Sequence, residues 1–208
     1  MKSKSVLITG VGKGLGKELA YSFSGRGWHV IAHEGRVQGN LNNPETIERL
    51  RYFAEYYEID ILINNAGVYT NKPFSEMTGQ EYYEIIKTNL LMPINLTKAI
   101  WPIFEKKKAG MIVFINSLAG QVGRSGESAY CASKFGLRGF ADSLQFDGVE
   151  NNIKILSVYL GAMRTGMKKD HPDYEKLINP VNAAKTIMEL CLNPSTRITS
   201  IEIKRNLY

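Results

Sequence analysis

Short apolar runs alternate with longer stretches of helical periodicity along this chain of 208 residues. The runs VLIT, ILIN and MIVFIN are almost wholly apolar, as strands covered on both faces are. The pattern predicts strands over residues 5–9, 29–33, 60–64, 111–116, 153–159 and 198–204. Between them it predicts helices over 15–26, 45–58, 79–106, 127–148 and 181–192. Asn43-Pro44 and Asn179-Pro180 each pair an N-cap residue with proline at the first helical position, which fixes two helix starts. This alternation predicts an α/β protein, a parallel sheet of six strands covered by helices on both faces. No internal repeat, linker or low-complexity tract divides it, so residues 1–208 are expected to form one domain.

One interval breaks the alternation. The second strand ends near His33, and the next apolar piece, Val37-Gln38, begins four residues on. A parallel crossover needs a dozen or more residues, so no helix fits between them. The chain is expected to stay at the carboxyl end of the sheet through residues 34–42 and to enter the next helix at Pro44. One βα unit would then be missing after the second strand.

Composition narrows the class. Hydrophobic residues make up 44% and charged residues 22%, as in water-soluble globular proteins. No stretch approaches the roughly 18 apolar residues of a membrane span. The apolar run Val6 to Ile8 is too short for a signal peptide. Cys131 and Cys191 form neither a paired framework nor a CxxC motif, which points to a reducing, cytoplasmic setting. Net charge is +6, but the positive residues are scattered. The one run, Lys106-Lys107-Lys108, falls at a predicted helix end, where it complements the helix dipole. No aromatic residues interleave with it as a stacking platform for single strands would need. Neither nucleic acid nor a membrane is expected as a partner. His29, His33 and His171 lack metal-ligand spacing, and no metal is expected.

The first strand runs into Thr9-Gly10-Val11-Gly12-Lys13-Gly14-Leu15-Gly16 and then into a helix. Glycines let backbone amides approach a phosphate, and the helix start supplies a positive end. GxGxxG fails from Gly10 and from Gly12, because the sixth residue is Leu15 or Lys17. A Walker loop fails because Val11 and Glu18 stand where glycine and a hydroxyl belong. TGxxxGxG fits, through Thr9, Gly10, Gly14 and Gly16, and its place after the first strand points to dinucleotide binding by a Rossmann-type, doubly wound sheet. Glu34, 24 residues after Gly10, is placed to bond the adenosine ribose and to repel a 2′-phosphate, which favours NAD. Lys13 and Arg36 could instead pair with such a phosphate. The balance tips slightly to NAD over NADP.

Four further features follow in order. Asn64-Asn65-Ala66-Gly67 follows the next internal strand, Asn89 lies in KTNLLMP, Ser117 ends MIVFINS, and Tyr130 and Lys134 form YCASK thirteen residues on. With the glycine loop, this chain resembles the short-chain dehydrogenase/reductase family, single-domain type, over nearly its whole length. The resemblance implies NAD(P) across the carboxyl edge of the sheet and an Asn-Ser-Tyr-Lys tetrad of Asn89, Ser117, Tyr130 and Lys134. It implies cofactor contacts from Thr9, Gly10, Lys13, Gly14, Leu15, Gly16, Asn65, Ala66, Gly67, Tyr130 and Lys134, and adenine contacts from Asn40 and Leu41, where aspartate is more usual than Asn40. It also implies a nicotinamide contact through Gly161 and Thr165, although Leu160 replaces the usual proline. Its oligomers imply a homodimer or homotetramer through the helices at 79–106 and 127–148.

The chemistry explains the residue types. Tyrosine has a pKa of about 10, and bringing it near 7 takes about 4 kcal/mol. A positive charge about 4 Å away at an effective dielectric near 20 supplies about that much. Lys134, one helical turn from Tyr130, is expected to do so. Ser117 can hold a carbonyl oxygen as charge develops, and Asn89 is expected, by resemblance, to hold a water linking Lys134 to solvent. Cys131 is read as packing. The expected substrate is a small or extended carbonyl or alcohol compound lying between residues 118–124, 68–77 and 165–178, with no large lid. The alternatives are a catalytically silent NAD(P)-binding regulatory protein and a pteridine reductase.

Overall fold

A computed structural model describes residues 3–166, 171–193 and 196–205. Six strands form one all-parallel sheet: β1 (Ser5–Thr9), β2 (His29–His33), β3 (Ile61–Asn64), β4 (Gly110–Ser117), β5 (Ile153–Leu160) and β6 (Ser200–Ile203). Their order is β2-β1-β3-β4-β5-β6, the doubly wound α/β arrangement the alternation predicts. The chain reverses its direction of travel between β1 and β3, and ligands of such sheets bind where the strand order reverses, at the carboxyl ends.

Helices α1 (Gly14–Gly25) and α6 (Pro180–Leu192) cover one face; α2 (Pro44–Tyr56), α4 (Met92–Lys107) and α5 (Ser128–Asp147) cover the other. Leu7, Leu62, Ile112 and Ile155 point to the second face, and Ile8, Ile63, Val113 and Leu156 to the first. Each fully buried side chain of this size contributes about 1.5–3 kcal/mol. The two Asn-Pro starts form as predicted: Asn43 Oδ1 accepts from the Glu45 amide at 3.0 Å, and Asn179 Oδ1 from the Val181 amide at 2.9 Å.

Residues 36–40 form no strand. Gly35–Gln38 is a single 3₁₀ turn, after which the chain enters α2 directly. The predicted helix over 79–106 is two helices, α3 (Gly79–Ile86) and α4, joined by a π-type turn at Lys87–Leu91. Pro93 explains the break, because it has no N–H to give the carbonyl of Asn89 four residues back. A capping box of Thr78 and Glu81 starts α3. No helix among the described residues is long and apolar enough to cross a membrane.

Candidate active site

The carboxyl ends of β1 and β3 are tied together by their own side chains. Thr9 Oγ1 accepts from the amides of Asn65 (3.1 Å) and Ala66 (3.0 Å), and Asn65 Nδ2 donates to the carbonyls of Thr9 (2.8 Å) and Gly10 (3.1 Å). Thr9 and Asn65, expected to line a cofactor, have their polar groups engaged with each other and brace the crevice. A Cβ on Gly16 would lie 2.2 Å from the Gly10 carbonyl oxygen and 2.4 Å from Asn65 Nδ2, so only glycine lets α1 start so close to the loop. Gly14 has φ +58°, and Thr165 packs against it.

The start of α1 has no side-chain cap and no acidic residue in its first turn. Its free amide N–H groups, on a loop lacking side chains at 10, 12, 14 and 16, fit a pyrophosphate. Lys13 is the exposed N-cap residue, and the side chain of Leu15 is buried in the core, leaving its backbone for that role. The Glu34 side chain lies over Gly12, where a Cβ would be 3.0 Å from its Oε1. The Arg36 side chain lies outside what the structure describes. Asn40 turns its Oδ1 onto the Asn42 amide (3.0 Å), and Leu41 is buried in the core. The Asn40 side chain thus closes a turn, and that of Leu41 excludes water.

Helix α5 carries Tyr130 and Lys134 one turn apart, with the Lys134 Nζ 5.8 Å from the Tyr130 ring centroid. Lys134 is 6% exposed and donates to the Ile115 carbonyl at 3.0 Å. Burial pulls its pKa down to about 8. Burial also raises the Tyr130 pKa; a hydrogen bond with Ser117 opposes this, and the Glu127 charge reinforces it. The sequence expectation that Lys134 brings Tyr130 near 7 is thus corrected. Desolvation of the phenolate is the largest influence on Tyr130, and the ammonium leans on a strand carbonyl. Asn116 joins the helix to the sheet, its Nδ2 donating to the Lys134 carbonyl (3.2 Å) while its Oδ1 accepts from the Ser117 amide (2.8 Å). Ser117 Oγ also accepts from the Ala119 amide at 3.2 Å.

The π-type turn directs Asn89 into the interior, where it is 1% exposed. Its Oδ1 accepts from the Val68 amide (2.8 Å), and its Nδ2 donates to the Val68 carbonyl (2.9 Å) and Ser133 Oγ (3.2 Å). Asn89 therefore fixes the loop after β3, beside Gly67, and makes no direct bond to Lys134 among the described residues. Ser133, which donates to the Tyr130 carbonyl at 2.7 Å, links it to α5.

Tyr69, inside the expected substrate segment 68–77, and Glu127 join the site without being singled out by any sequence motif. The Tyr69 ring stands edge-on to the Tyr130 ring with centroids 5.1 Å apart, and its hydroxyl donates to Glu127 Oε1 at 2.8 Å. Burial, with help from Glu127, pushes the Tyr69 pKa up to about 12. At the far side, Met163 bridges to Ile178 and Arg164 pairs with Glu175 at 2.7 Å; Thr165 lies against Gly14 of the glycine loop, while Gly161 lies beside Ile178, the Ile203 carbonyl and Leu118. The expected substrate segment 165–178 is described except for 167–170, which lie outside the described residues.

The profile of the family described as short chain dehydrogenase matches residues 36–176. The chain belongs to the short-chain dehydrogenase family. Among its short-chain dehydrogenase relatives, the 3-oxoacyl-[acyl-carrier-protein] reductase FabG of Escherichia coli is 31% identical over 194 residues, covering 84% of this chain and 80% of that protein. The peroxisomal hydratase-dehydrogenase-epimerase of Saccharomyces cerevisiae is 29% identical over 205 residues, which is 88% of this chain but 22% of that protein. A short-chain dehydrogenase structure from Streptomyces avermitilis aligns with a TM-score of 0.85 at 23% identity, covering 97% of this chain and 88% of that one. ElxO with NADP bound aligns at 0.83 and 23% identity, covering 96% and 97%. The short-chain dehydrogenase fold is thus shared nearly end to end.

Proposed function

We propose that this chain is an NAD(P)-dependent oxidoreductase interconverting a carbonyl compound and an alcohol, with Tyr130 as the proton-transferring group. The observation that carries this reading is the pairing of Tyr130 with buried Lys134 on α5, beside the Ser117 hydroxyl. When bound, the nicotinamide supplies the hydride donor or acceptor. The amides at the start of α1 hold the pyrophosphate, Glu34 the adenosine ribose, and Gly161 and Thr165 the nicotinamide end.

In reduction Tyr130 gives its hydroxyl proton to the substrate oxygen; in oxidation it takes that proton back. Because burial disfavours its phenolate, Tyr130 holds its proton near neutral pH and is suited to the acid role. Ser117 donates a hydrogen bond to the same oxygen as charge develops on it. Lys134, with a pKa of about 8, exchanges a proton in mildly alkaline solution and resupplies Tyr130. Asn89 keeps the loop after β3 in place beside them.

The position of Glu34 over Gly12 supports NAD over NADP, since a carboxylate there repels a 2′-phosphate. The FabG relatives are named for 3-oxoacyl groups, so a 3-oxoacyl thioester belongs first in a carbonyl panel. The exposed rings of Phe135 and Phe146 on α5 support a homodimer or homotetramer, and the free thiols of Cys131 and Cys191 support a cytoplasmic setting. The test follows reduced-nicotinamide absorbance with that panel, for wild type and Tyr130→Phe. Turnover lost in the variant while cofactor still binds is the expected result. Equal turnover in both overturns the reading, and silence in both with cofactor bound favours a regulatory binder.

A further inference from the structure

Glu127 lies one helical turn before Tyr130, at the N-cap of α5, and is only 8% exposed although charged. A buried carboxylate is costly unless hydrogen bonds satisfy it. Among the described residues its side-chain partner is the Tyr69 hydroxyl at 2.8 Å. Tyr69 comes from the loop after β3, 58 positions away, and its ring abuts the Tyr130 ring at an interplanar angle of 83°. The same two loops are strapped together beside this pair. The Lys72 amide donates to the Gly126 carbonyl at 2.8 Å, and Asn71 Nδ2 donates to the Ser125 carbonyl at 3.4 Å. Lys72 in turn pairs with Glu81 at 2.9 Å, the carboxylate that caps α3.

We propose that Glu127 is a positioning residue for Tyr130 and acts through Tyr69. The carboxylate anchors the Tyr69 hydroxyl, and the anchored ring holds the Tyr130 ring at the angle at which its hydroxyl meets Ser117. This rests on the reading of Tyr130 as the proton-transferring group. The groups around that hydroxyl are Ser117 at the end of β4, Cys131 and Lys134 on α5, Tyr69 after β3, and Glu127. Of these, Glu127 adds a negative charge that, like burial, keeps the proton on Tyr130. Tyr69 keeps its own proton to about pH 12, so the anchor is a donor throughout the working range.

The test compares Tyr69→Phe, Glu127→Ala and Glu127→Gln with wild type. Its first readout is NMR of protein carrying tyrosine labelled at the ring Cζ and Cδ carbons, with Tyr130 assigned by its loss in Tyr130→Phe. Its second is kcat and KM for reduction of a 3-oxoacyl thioester. Tyr69→Phe and Glu127→Ala are expected to speed flipping of the Tyr130 ring and to lower kcat by about tenfold, with KM within about twofold. Glu127→Gln keeps an acceptor for Tyr69, so flipping of the Tyr130 ring stays close to wild type, but it removes the charge, so Tyr130 titrates at lower pH. An unchanged Tyr130 titration in Glu127→Gln together with unchanged ring flipping in Tyr69→Phe overturns the proposal, even if both variants melt earlier. Because the NMR readout needs no turnover, an inactive wild type would count against the proposed function and leave this result decisive.

Discussion

Replacing Lys134 with methionine should make the protein more stable and inactive at once. In the folded chain Lys134 is buried and titrates near 8, against an ordinary value of 10.5. The difference of about 2.5 pH units, at 1.36 kcal/mol each, means that folding with the lysine charged costs about 3 kcal/mol. Methionine has similar length and no charge, and it forfeits the bond to the Ile115 carbonyl (3.0 Å), worth about 1 kcal/mol. The variant should therefore gain about 2 kcal/mol at pH 7. The sign of the pH dependence follows from the lowered folded pKa. The penalty is fully present below pH 8, where both states are protonated, and it fades between 8 and 10.5 as the folded lysine loses its proton first. Urea unfolding of both proteins at pH 7 and pH 9.5 measures this, and the advantage of Lys134→Met should fall nearly to zero at the higher pH. A variant less stable than wild type at pH 7, or an advantage that does not narrow with pH, would rule out a buried-charge penalty at Lys134. The lysine would then be a structural anchor rather than a buried charge retained for function.

Two other outcomes follow from the crevice. Gly16→Ala places a methyl 2.2 Å from the Gly10 carbonyl oxygen and 2.4 Å from Asn65 Nδ2; it should lose about 1–3 kcal/mol in urea unfolding and bind cofactor more weakly in a fluorescence titration. Glu34→Ala should improve NADPH binding relative to NADH by about tenfold or more, measured by the same titration, since it removes a carboxylate beside Gly12.

Much of the architecture was legible because local and global signals agree. β1 and β2 fall on the residues their apolar runs predict, and the missing βα unit follows from the distance between His33 and Pro44. The break at Asn89 was hidden by surrounding helix formers, although Pro93 was its signal. The glycine loop and the Tyr130–Lys134 pair were legible because each is contiguous in sequence. The Tyr69–Glu127 contact was not, because it depends on two loops meeting across 58 positions. The mutual hydrogen bonds of Thr9 and Asn65 and the burial of Leu41 were not legible, because sequence does not reveal whether a side chain faces a ligand, a neighbouring loop or the core. The sense of the Tyr130 shift was missed for a related reason, since its desolvation depends on the packing around α5.

If Tyr130 transfers the proton, as proposed, its loss must slow the chemical step itself. The most direct measurement is single-turnover oxidation of bound reduced nicotinamide by a 3-oxoacyl thioester in wild type and Tyr130→Phe, with cofactor affinity measured on the same samples. The expected rate is about 10²–10⁴-fold lower in Tyr130→Phe, with cofactor affinity within about twofold of wild type. An undiminished rate in Tyr130→Phe would contradict that role.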